Sequence, residues 1–175
     1  MTATADDDED KIAQAQRLHE TVRQLRGRLL NSLAVIDVAV SRLLAAYFCQ
    51  NAERRNLAFS DVFVSPLRLE YKARLLERIV KKEFAWYLEK DHSQHLFSDL
   101  KDLREFRNTL AHATIDVSDK ALTKDPKQEI GFVYYKNGER AVKQVTREMA
   151  DKFEIKANMV HTGMIELGKL MGVKV

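Results

Sequence analysis

Three residues have the types and spacing to act on a phosphodiester: Arg107, Asn108 and His112, within the stretch 96–113, LFSDLKDLREFRNTLAHA. An imidazole titrates near neutral pH and can move a proton. A guanidinium holds a phosphate through two parallel hydrogen bonds and stabilises charge growing on it. The amide of Asn108 can orient either group. At 100° per residue, Leu96, Leu100, Leu103, Phe106 and Leu110 share one side of a helix. Arg107 falls within that apolar side, where a charge is costly unless it meets an acid or an anion. Asn108 and His112 lie four residues apart, one above the other. The same three side chains also suit a purely structural end to a helix, with Arg107 reaching a buried acid.

The elements that must position this set are mostly helical. Gly (6) and Pro (2) are scarce among 175 residues, 45% of them hydrophobic and 31% charged, which disfavours a fold of many short strands. From Ile12 to Tyr47 apolar residues recur at helical spacing with no proline. An unbroken helix there would be about 60 Å long, so a break near Gly27 or pairing of its first half with a partner chain is expected. Residues 51–65 read as a loop with an apolar anchor over 59–64. Ser65-Pro66 reads as the cap and first position of a middle helix. A helix over about 95–112 carries the site, and 114–128 reads as a polar connector. The period then changes to two on either side of Asn137-Gly138, a preferred pair for a two-residue hairpin turn. Thr146 is the expected cap of the last helix.

The run Arg107-Asn108-Thr109-Leu110-Ala111-His112 resembles the signature of the HEPN superfamily (higher eukaryotes and prokaryotes nucleotide-binding domain): arginine, a polar residue, three further residues and histidine near the end of a bundle helix. The order of helices after residue 11 is compatible with it. The resemblance implies a mainly α fold, an antiparallel helical bundle, here with a small β-hairpin at about 130–145 before the last helix. It also implies a homodimer that brings two motifs into one cleft. Many members are metal-independent endoribonucleases acting as toxins or in phage defence, with an antitoxin or operon partner; others are non-catalytic binding modules. Carried over, Arg107, Asn108 and His112 are the candidate catalytic residues. Toxins of one subgroup carry a tyrosine two places after the histidine; here Thr114 stands there, so inactivation by modifying that tyrosine is not supported.

Other features point elsewhere or nowhere. His92 and His95 have a metal-compatible H-x-x-H spacing but no nearby cysteine, and no metal or cofactor site is expected. Cys49 excludes an intrachain disulfide framework and reads as a core or near-core thiol. His19 and His161 stand alone. The phosphate loops and nucleophile elbows of common nucleotide-binding folds and serine hydrolases are not seen. Net charge is +3; without the five acids at 6–10, 29 basic residues face 21 acidic ones, leaving +8, a sign that suits a polyanion such as RNA as much as plain solubility. Arg68, Lys72, Arg74, Arg78, Lys81 and Lys82 make the middle helix basic, interleaved with glutamates. Tyr134, Tyr135, Lys136 and Arg140 on the hairpin can meet single-stranded RNA, or simply half-bury a hairpin. Residues 1–10 are expected to form a disordered acidic tail and 11–175 a single domain. The single cysteine makes a reducing, cytoplasmic setting the expectation, and no apolar run approaches the ~20 residues that span a bilayer, so no membrane partner is expected. The resulting expectation is an endoribonuclease cutting single-stranded RNA at a composite dimer site, or alternatively a non-catalytic helical module that binds protein or nucleic acid.

Overall fold

A computed structural model describes residues 5–49, 58–136 and 138–173. The protein is mainly α with one small sheet. Its elements are α1 (Ala5–Cys49), a π-helical turn (Ser60–Val64), α2 (Leu69–Glu83), a 3-10 turn (Ala85–Tyr87), α3 (Leu96–His112), β1 (Thr114–Ile115), the short α4 (Asp119–Leu122), β2 (Glu129–Lys136), β3 (Glu139–Thr146) and α5 (Arg147–Leu170). They sort into two compact units, one of residues 1–30 and 106–153, the other of 31–105 and 154–175.

The first unit is built on the hairpin. β2 and β3 pair antiparallel in the register Lys136↔Glu139, which leaves a two-residue connection. Gly138 sits there at φ +84°, a conformation that costs any residue with a Cβ; Asn137 lies outside the described residues. Thr146 caps α5 as expected, its Oγ1 accepting from the Met149 N–H at 3.2 Å. The polar connector holds more structure than the sequence shows. β1 adds a third antiparallel strand, through Thr114↔Val133 and Ile115↔Phe132. Asp116 then approaches β2 so closely that a Cβ on Gly131 would stand 2.9 Å from the Asp116 Cβ. Two residues are too short for a period to register, so only pairing with the edge of β2 reveals β1. Ile130, Phe132 and Val145 lie on one face of the sheet and are buried, as are Leu18, Val22, Leu25 and Leu29 of α1.

One expectation about α1 is corrected. Gly27 does not break it, because one glycine costs only ~1 kcal/mol in a helix and 45 residues of otherwise unbroken pattern outweigh that. Along its first half Leu18, Val22, Leu25 and Leu29 are buried within the single chain. Residues 5–10, expected in the disordered tail, are the first helical residues of α1. Residues 1–4 lie outside the described residues.

Among the described residues, the regular elements of the second unit are all helical. Its core includes Leu33, Ile36, Val40, Leu43 and Leu44 of α1, Leu76 and Val80 of α2, Leu96, Leu100 and Leu103 of α3, and Ala157, Val160, Met164 and Leu167 of α5. Tyr87 is buried as well, donating its hydroxyl to the Gly163 carbonyl at 2.9 Å. Lys156 of α5 bridges Asp99 (2.8 Å) and Asp102 (2.9 Å) of α3, and their hydrogen bonds hold its ammonium pKa above the usual lysine range. Ser65-Pro66 does not begin a helix. The Ser65 N–H donates to the Ser60 carbonyl, closing the π-helical turn, and α2 starts only after Arg68 in extended backbone. The loop expected over 51–57 lies outside the described residues. By length and composition α1 could cross a membrane: an 18-residue window of it has a mean hydropathy of 1.7. In the folded chain 56% of that window is buried.

Candidate active site

The last turns of α3 present the three residues singled out from the sequence. Leu110 and Ala113 anchor this end of the helix, at 2% and 6% exposure. Arg107 is half-buried rather than enclosed. Its Nη1 donates to the Asn108 Oδ1 at 2.9 Å in an exposed contact, so the expectation of a guanidinium aimed into the core is corrected: the head turns along the helix surface. Asn108 and His112 are exposed. The helix thus brings Arg107 and Asn108 into contact and sets the imidazole one turn further on, in the final turn. What this can do chemically is limited and specific: offer a planar cation to an oxyanion, and exchange a proton with water or ligand.

A second arginine lies at the same helix end. Arg26 of α1 donates from Nη2 to the carbonyl of Ala113 at 2.5 Å, across 87 residues of sequence. Its guanidinium carbon lies 5.4 Å from the centre of the Phe132 ring, within the range of cation–π attraction. Burial draws the Arg26 pKa below the ordinary arginine value. Sequence inspection missed it, yet the signal existed. Val22, Arg26, Leu29 and Leu33 follow helical spacing, so Arg26 interrupts an apolar stripe just as Arg107 does.

The remaining candidates disperse. The His92 Nε2 meets Glu166 at 2.9 Å; His95 is exposed. Among the described residues no three His, Cys, Asp or Glu side chains gather as a metal site would require. Cys49 is a half-buried free thiol. The basic face of α2 is largely paired, Arg74 with Glu70 (2.6 Å), Lys81 with Glu77 (2.7 Å) and Lys82 with Glu83 (3.7 Å), while Lys72 is buried. On the hairpin, Tyr135 is 73% exposed and Arg140 stands 3.5 Å from Asp116. Lys143 lies over the Phe106 ring at 5.2 Å. Comparison of the chain with protein-family models, with curated proteins and with solved structures gives no match.

Proposed function

We propose that the protein is a HEPN-type, metal-independent endoribonuclease that cuts single-stranded RNA, with two copies of the chain contributing to a composite site. The observation that carries this reading is the surface arrangement on α3: a guanidinium held against Asn108 at 2.9 Å, with His112 exposed one turn away. In the reaction, Arg107 holds the scissile phosphate and stabilises its growing charge. His112 transfers the proton as the 2′-hydroxyl attacks, closing a cyclic phosphate and releasing a 5′-hydroxyl. Asn108 fixes the plane of the guanidinium. A role as a toxin or phage-defence factor, acting in the cytoplasm beside an antitoxin or operon partner, goes with this activity.

The test is incubation of purified protein with mixed RNA in EDTA. Fragments ending in cyclic phosphate are the expected product. Cleavage that disappears on chelation and returns with magnesium or manganese would contradict the mechanism. Folded protein that never cuts RNA would leave the alternative, a non-catalytic helical module that binds protein or nucleic acid in a regulatory role.

A further inference from the structure

An α-helix ends with carbonyls that have no partner within it. At the end of α3 the Ala113 N–H still bonds back to the Thr109 carbonyl at 3.0 Å. The peptides around His112 are therefore the last helical ones, and the next residue, Thr114, already belongs to β1. What becomes of the Ala113 carbonyl decides how this end is held. It is bound by Arg26 at 2.5 Å.

This is a costly way to finish a helix. The Arg26 Nε is buried and has no hydrogen-bond partner among the described residues, a loss that native structures seldom tolerate. Water or a flexible lysine could satisfy one carbonyl without that loss. A guanidinium does something neither can. It can bind the carbonyl in one direction while its charge lies over the face of an aromatic ring in another. Here the ring is Phe132, fully buried and paired across the sheet with Ile115, three residues beyond His112. The plate of Arg26 thus ties α1, β2 and the His112 end of α3 to one another, and its charge faces the negative end of the α3 dipole.

We propose that Arg26 is a positioning residue: from α1 it fixes the helix end that carries His112, an inference that rests on the ribonuclease reading for its effect on rate. Displacing a reacting group by ~1 Å can cost about 100-fold in rate. The experiment compares full-length Arg26→Met and Arg26→Lys with wild type in two measurements. On RNA, Arg26→Met is expected to lower kcat about 100-fold with KM within about twofold. Arg26→Lys, which keeps the charge and can donate to the carbonyl but lacks the planar fork, recovers about a tenth of the wild-type rate. In amide hydrogen exchange, Arg26→Met exposes the Ala113 amide about tenfold faster, while the Leu100 and Leu103 amides on the same helix keep their protection. Unchanged exchange at Ala113, or a KM rise with kcat unchanged, overturns the proposal. If Arg26→Met does not fold, the exchange and kcat of Arg26→Lys decide. If wild type cuts no RNA the ribonuclease reading falls, and exchange at Ala113 still decides whether Arg26 holds the His112 end, so the two fail separately.

Discussion

The second unit holds a buried cation whose removal should cost far less than its isolation. Lys72 of α2 keeps only 3% of its side chain exposed, and its Nζ lies 2.9 Å from the Asp37 carboxylate and 3.0 Å from the Ser41 Oγ. Asp37 is 38% exposed, and Ser41 already donates its hydroxyl to the Asp37 carbonyl at 2.7 Å. Asp37→Ala leaves the ammonium buried with one neutral acceptor. Stranding a buried charge in this way costs about 3–5 kcal/mol. Lys72→Met removes the charge and keeps the volume of the stem. Asp37 then rehydrates through its exposed side and Ser41 keeps its partner, so the expected change is within about 1 kcal/mol of zero. For a chain of 175 residues, each kcal/mol moves Tm by ~2–4 °C. The Asp37→Ala melt should therefore fall by roughly 6–20 °C and that of Lys72→Met by at most ~4 °C. The double variant should melt near Lys72→Met, because no cation remains to strand. Thermal and urea unfolding followed by circular dichroism read all three. An Asp37→Ala loss no larger than that of Lys72→Met, or single losses that simply add in the double variant, would refute the reasoning.

Three further outcomes are expected. Arg107→Ala and His112→Ala should each lower RNA cleavage by ~10²–10⁴-fold, with the double variant hardly worse because both serve one transition state; since Arg107 is half-buried and His112 exposed, both should melt within about 1 kcal/mol of wild type, and a collapse of the fold would mark them as structural. Light scattering at micromolar concentration should give about twice the chain mass of 20.2 kDa; a monomer at high concentration would remove the composite site. Tyr87, whose pKa burial and the neighbouring Glu166 push up from 10.0 to about 12, favours the folded state while neutral, so stability should be undiminished below pH 10 and decline from pH 10 to about 12 as only the unfolded phenol ionises freely; a Tyr87→Phe variant declining just as steeply would assign the loss to other groups.

How much of this protein could be read from its residues depends on the range of the interaction concerned. The hairpin, the Thr146 cap and the site helix were legible because each is written within a few neighbours: a period of two beside Asn137-Gly138, a hydroxyl three residues before the amide it binds, a stripe of leucines at helical spacing. Arg107, Asn108 and His112 were legible as a set for the same reason, since four residues make one helical turn. Ser65-Pro66 misled because serine and proline suit the end of a π-helical turn as well as the start of a helix; the Ser65 N–H bond to Ser60 chose the former. β1 escaped because two residues have no period.

By itself, then, the sequence determined the helical majority, the one hairpin and the residue types at the end of α3, all through local spacing. Only the tertiary structure decided whether each charge on an apolar stripe is buried, paired or exposed. Arg107 reaches the surface and turns to Asn108. Lys72, one of six basic residues that looked like a surface track, is enclosed by Asp37 and Ser41 from 31 to 35 positions away. Arg26, passed over in a long amphipathic pattern, binds a carbonyl 87 positions away. A helical period tells which direction a side chain leaves its axis. It does not tell what stands in that direction, and the free energy of a charge is set by what it meets there.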